Sequence, residues 1–202
     1  MRTRLLVTLT LAASFCTAQV SLSGGLSLAS QIKNAKLETV AASGTLQQQI
    51  EAFAAGQTGS AWIGYSVPSV ASHRTICCFE GWQDQTCCGT CHLTSEHNTF
   101  SGSRSDCDDV EQKNVTVLYH VEEKKVSGIR LFSENCAVDA EGAAVAVITG
   151  VDPKQSIAYL SGFVTKDEDS RLGRRALDAI AEHADASADS VLDRFASAEY
   201  PV

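Results

Sequence analysis

The chain has 202 residues, 44% hydrophobic and 20% charged, and 24 acidic against 16 basic side chains leave a net charge of −8. A balance of that sign repels a phosphate backbone, and no basic stretch with interleaved aromatics reverses it, so nucleic acid is not an expected partner. Beyond the N-terminus no apolar run reaches membrane length, so no membrane span is expected, and the length suits one ordinary domain with a small appendage.

Residues 1–18 have the three-part layout of a secretory signal peptide. Met1-Arg2-Thr3-Arg4 is basic, Leu5 to Phe15 is apolar but too short to span a bilayer, and Cys16-Thr17-Ala18 sets small residues before a cut that leaves Gln19 first. Lipidation of Cys16 is the weaker reading, because bulky Phe15 precedes it. A secreted or periplasmic location follows, and loss of Arg2 and Arg4 deepens the net charge to −10.

Residues 19–34, rich in Ser, Gly and small apolar side chains, read as a flexible leader. Lys36 to Ala42 alternates as a short strand. Thr45 then caps a helix over Leu46 to Ala55, with Leu46, Ile50, Phe53 and Ala54 at helical spacing and Gly56 ending the run. Ala61 to Val67 is aromatic and β-branched, a strand ending at Pro68. Residues 72–110 hold most of the cysteines and little periodicity, which suits a long loop that is stapled or functional. Asn114 to Val121 and Val126 to Phe132 form a β-hairpin about the charged turn Glu122-Glu123-Lys124-Lys125. Ala143 to Thr149 is a further strand. Asp152 and Pro153 open a helix whose Ile157, Leu160 and Val164 share a face. Lys166 to Ser170 is a charged break, taken as a domain boundary. Beyond it Leu172, Ala176, Leu177, Ile180, Ala181 and Ala184 make one apolar stripe, and Val191, Leu192, Phe195 and Ala196 a second. Two such helices about Asp185-Ala186-Ser187 form an αα-hairpin, which cannot bury its apolar faces alone. It either packs onto the preceding domain or opens a longer array.

The hairpin resembles a HEAT-type repeat, through Arg174-Arg175-Ala176-Leu177-Asp178-Ala179-Ile180-Ala181 and Ser190-Val191-Leu192-Asp193-Arg194-Phe195. The chain as a whole is similar to the N-terminal part of exported bacterial HEAT-repeat proteins, in which a cysteine-bearing domain precedes a helical array. Residues 61–68, the Cys77-Cys78 pair and residues 149–156 carry that likeness. The resemblance implies protein–protein interaction through a solenoid surface. A concave surface needs about three repeats, and one is present here.

The cysteines carry the candidate chemistry. Apart from Cys16 they are Cys77, Cys78, Cys87, Cys88, Cys91, Cys107 and Cys136, read first as a disulfide framework whose connectivity the spacing leaves open and whose odd count leaves one thiol over. Cys88-Gly89-Thr90-Cys91-His92 fits the C-x-x-C-H pattern of covalent haem c attachment. Cys88 and Cys91 would add to the haem vinyl groups and His92 would bind iron, with His73, His97 or His120 opposite, since Met1 is the single methionine. Crowding of cysteines makes the spacing arise easily by accident, so disulfides rank ahead of haem. Zinc on Cys78, Cys88, Cys91 and either Cys107 or His92 ranks lower in an oxidising compartment. A thioredoxin-like role for Cys88 and Cys91 is lower still, for want of a βαβ context.

No hydrolase or phosphate-loop motif is present. His120 reads as a strand residue of the surface or core, and His183 as a cation suited to a helix C-terminus. Asp106, Asp108, Asp109 and Glu111 read as a solvated acidic loop without EF-hand spacing. Asn114-Val115-Thr116 is a formal glycosylation sequon. The sequence therefore predicts an α+β domain at 35–165, a small antiparallel sheet with packed helices and a disulfide-stapled loop, followed by the HEAT-like pair at 170–199. The function favoured is a non-enzymatic interaction or scaffold module with a protein partner and no cofactor or metal. Trp62, Tyr65 and Trp82 are the candidate contacts, with core burial the stronger reading for the first two.

Overall fold

The structure, a computed structural model, describes residues 28–72, 90–93, 112–134, 136–164 and 170–198. The signal peptide, leader residues 19–27, Cys77, Cys78, Cys87, Cys88, Cys107, Trp82, His73, His97 and the acidic cluster from Asp106 to Glu111 lie outside the described residues.

The fold is α+β, with two sheets and helices. A short helix α1 at 28–31 leads into β1 (Ile32–Lys33) and β2 (Lys36–Ala41). Helix α2 (Leu46–Gly56) and β3 (Ala61–Ser72) follow. Next come β4 (Thr90–His92), β5 (Gln112–Glu122), β6 (Lys125–Ser133), β7 (Ala137–Asp139) and β8 (Ala144–Thr149). Three helices complete the order: α3 (Pro153–Ser161), α4 (Arg171–Ala181) and α5 (Ala186–Ala198).

The main sheet runs β2-β8-β3-β5-β6. It is mixed rather than antiparallel as expected: β2, β8 and β3 are parallel, whereas β3, β5 and β6 are antiparallel. Helix α2 is the reason. It returns the chain to the start of the sheet between β2 and β3, so both strands run the same way and β8 pairs between them. The strand–helix–strand succession of β2, α2 and β3 is the sequence signal for this parallel part of the sheet.

Strand alternation divides the core in two. Ile63, Tyr65, Val67, Val115, Val117, Tyr119, Ala146 and Ile148 face the helices, beside Ile50, Ile157, Leu160, Ala176 and Ile180. Trp62, Leu118, Phe132, Val145 and Val147 face the other way, against Leu28, Ile32, Cys91, Cys136 and Val138. The second layer is the three-stranded parallel sheet β1-β7-β4 with α1. Residues 28–34, expected in the leader, belong to it: Leu28 and Ile32 are buried one turn apart. Buried Gln31 bridges the layers, donating to the Ser133 carbonyl at 2.7 Å and accepting from the Thr116 hydroxyl at 3.2 Å. Burial on both faces explains why the middle of β5 is apolar at successive positions.

Local chemistry sets the element ends. Thr45 caps α2 as expected, in a reciprocal box: its hydroxyl accepts from Gln48 N at 3.2 Å and Gln48 Oε1 accepts from Thr45 N at 3.3 Å. Gly56 is inside the helix, which ends at the extended residue Gln57. Asp152 caps α3, with Pro153 in its first turn. Strand β3 does not stop at Pro68. Beyond Gly64 it has left β8, so the missing N–H of Pro68 breaks no ladder there. Residues 182–184 take that edge instead: Ala184 N donates to Pro68 O and Val70 N to Glu182 O, both at 3.0 Å. The helix pair expected after residue 170 thus packs onto the sheet, and Ala176, Ala179, Ile180 and Ala188 join its core.

Candidate functional site

A chain of four buried polar side chains links the sheet to the C-terminal helices. Tyr119 on β5 and Tyr65 on β3 have their hydroxyls 2.7 Å apart. Tyr65 meets Ser156 Oγ, in the first turns of α3, at 2.7 Å, and Ser156 Oγ meets His183 Nε2 at 2.7 Å. His183, just past α4, places Nδ1 2.7 Å from the Ala179 carbonyl.

The partners fix every proton. A carbonyl only accepts, so His183 Nδ1 carries the hydrogen and Nε2 offers a lone pair. Ser156 then donates to His183, Tyr65 donates to Ser156, and Tyr119 donates to Tyr65. Each group is satisfied when all four are neutral, and the surroundings keep them so. Burial pushes the phenols of Tyr65 and Tyr119 well above their ordinary range. Burial likewise lowers His183, opposed by the Ala179 hydrogen bond and by Asp185. His183 is therefore a neutral acceptor, not the helix-end cation the sequence suggested. Tyr159 and Phe163 close the site, 5.4 Å and 6.2 Å from the Tyr119 ring. Burial, with Glu51 second, pushes the Tyr159 phenol up to about 12.

A Ser–His pair at 2.7 Å is the geometry of an activated nucleophile. Here it lacks two requirements. Ser156 is fully buried and His183 nearly so, leaving a substrate no approach. The imidazole is oriented by a carbonyl rather than a carboxylate, so the charge it would gain has no hydrogen-bonded carboxylate to hold it, only the weaker field of Asp185. No sequence motif announces the pair, because its members come from separate elements, 27 residues apart.

On the opposite face Trp62 is buried at 4% exposure, with the His120 ring 4.6 Å away and the Arg130 guanidinium 5.3 Å from its centroid. Tyr65 is buried too, so neither aromatic is an exposed contact. His120 lies opposite Gly128 and Trp62, between Ser60 on Nε2 at 2.7 Å and Ser127 on Nδ1 at 2.8 Å. Burial lowers its pKa, with Glu122 opposing and Arg130 adding. Arg130 donates to the His92 carbonyl at 2.7 Å, which joins the main sheet to β4.

Of the C-x-x-C-H motif, Cys91 and His92 lie on β4 and Cys88 is outside the described residues. Cys91 is buried in the second core cluster, whereas His92 is partly exposed with Nδ1 2.9 Å from Glu141 Oε1. Cys91 and Cys136 are both disulfide-bonded. Among the described residues no three His, Cys, Asp or Glu side chains are grouped to hold a metal ion.

A cleft of about 200 Å³ lies where β2 and β8 end and α2 and α3 begin. Ligands of open α/β sheets bind at such strand ends. Here the chain's own side chains occupy the donors: Gln155 Oε1 accepts from Leu46 N at 2.8 Å, Gln49 Oε1 from Ser43 N at 3.2 Å, and Asp152 Oδ1 from Lys154 N at 2.9 Å. The Asp152 carboxylate also opposes an anion.

No family model, no curated protein and no solved structure matches this chain.

Proposed function

We propose that this chain is an exported, non-enzymatic protein-interaction or scaffold module. In this reading a disulfide-stapled α+β domain carries α4 and α5 as a HEAT-like pair, and its partner is a protein. The observation that carries the non-enzymatic reading is the buried Ser156–His183 pair. It is a nucleophile–base couple by distance, yet it is enclosed and neutral, with every polar atom spent inside the chain. Export is supported by the layout of residues 1–18 and by the bonded state of Cys91 and Cys136, which suits an oxidising compartment.

The alternative is haem c electron transfer through Cys88, Cys91 and His92. The residues present fit it poorly. In extended β4 successive side chains point to opposite faces, so Cys91 is turned into the core and His92 away from it. A disulfide also leaves Cys91 no thiol for a thioether bond.

Cross-linking of the exported protein in its own cells, followed by mass spectrometry, tests the module. A defined protein cross-linked to surface lysines of the chain is expected. Turnover of a small molecule by purified protein, lost in Ser156→Ala with the fold retained, would overturn the reading.

A further inference from the structure

Among the described residues the main sheet ends at β2, and no strand pairs with its outer edge. Lys36 N donates to Ala143 O at 2.9 Å and Ala42 N to Thr149 O at 2.8 Å, so the even-numbered residues of this strand turn their backbone groups toward β8. By the alternation of a parallel ladder, Leu37, Thr39 and Ala41 turn theirs to the free edge. Gln49 Nε2 covers the Ala41 carbonyl at 2.9 Å. Leu37 and Thr39 have no such cover among the described residues. The strand is exposed along nearly its whole length, and Leu37, 41% exposed, is one of two large hydrophobic side chains in that state among the described residues.

Edge strands are usually defended by proline, a bulge or charge. Strand β2 has no proline, and its register with β8 is unbroken. Its charges, Lys36 and Glu38, stand two residues apart on one face and make no ion pair among the described residues. They repel a strand of like sign but match their own reversed copy.

We propose that the partner of this edge is a second copy of the chain, its β2 paired antiparallel about a two-fold axis at Leu37. That register sets Lys36 of each copy opposite Glu38 of the other, twice, and Leu37 against Leu37. Its hydrogen-bonded pairs are Leu37 with Leu37 at the axis and, on either side, Thr39 with Ala35, the residue just before the strand. An axis at Glu38 would oppose two carboxylates. An axis at Thr39 would need the Ala41 carbonyl that Gln49 holds and would leave both charges unmatched. The result is one continuous ten-stranded sheet, since each copy contributes five strands.

The proposal rests on the interaction-module reading, for which it names one partner. Sedimentation velocity of the exported chain across a concentration series tests it, with Glu38→Lys, Lys36→Glu and an equimolar mixture of the two. A concentration-dependent dimer is expected, weakened about tenfold in either variant alone as two favourable cross-strand pairs become repulsive. The mixture should restore it, because unlike charges then face again. A monomer at every concentration, or a dimer that ignores the substitutions, overturns the pairing. Either result leaves the module standing if cross-linking still finds another protein, whereas a haem adduct ends the module reading without touching the pairing. The two side chains are exposed, and circular dichroism of each variant confirms that the fold is kept.

Discussion

His183 shows how much one tautomer can fix. Because Nδ1 is committed to the Ala179 carbonyl, the direction of three further hydrogen bonds follows, and no member can change its proton without leaving another unsatisfied. Ser156→Ala would strand His183 Nε2 in the core and leave the Tyr65 hydroxyl only its bond to Tyr119, and should cost about 1–3 kcal/mol by urea denaturation. Acid should do related damage. Burial holds the native imidazole below its ordinary value of 6.5, so the unfolded chain takes up the proton first. This contribution to stability is whole above pH 6.5 and is lost as pH falls through the lowered native value. Denaturation midpoints measured down the pH scale should fall in the native chain and fall less in His183→Gln. Half-buried His120 is lowered as well and adds a slope of the same sign. Gly64 is a second constraint at this scale. A Cβ there would meet the Val117 carbonyl and the Leu118 side chain of the neighbouring strand, so Gly64→Ala should destabilise by about 1–3 kcal/mol in the same assay.

At the scale of elements, the hairpin of β5 and β6 turns through Glu123 and Lys124, both with positive φ, +50° and +63°. Such two-residue turns favour Asn-Gly, since side chains beyond Asn and Asp seldom adopt that conformation. Glu123→Asn with Lys124→Gly should gain up to about 1 kcal/mol and raise Tm by roughly 2–4 °C, read by thermal melts. The turn, the Thr45 and Asp152 caps and the strand cores of β2, β3, β5, β6 and β8 were legible in the sequence because their signals are local. The three-stranded sheet was not. Strands β1, β4 and β7 have two or three residues each, too short to show a period, and they are strands only through their pairing with one another. Pro68 misled for a related reason. Its effect depends on which strand lies beside it, and there the neighbour is the stretch from Glu182 to Ala184.

At the scale of the whole molecule, the mixed sheet is covered on both faces, by four helices on one and by the small sheet with α1 on the other. The candidate site was the least legible part. Tyr65, Tyr119, Ser156 and His183 meet only in the folded chain, and nothing in their spacing announces it. The cysteine-rich stretch was legible as a composition, while pairing among its members is a property of the fold. That stretch carries the choice between a stapled module and a haem protein. The most direct test is the intact mass of the exported protein, unreduced and then reduced and denatured. The account predicts a chain beginning at Gln19, no haem adduct, and a gain of about 2 Da for each bridge opened. A mass raised by one haem that survives denaturation and maps to Cys88 and Cys91 would contradict it and make this an electron-transfer protein.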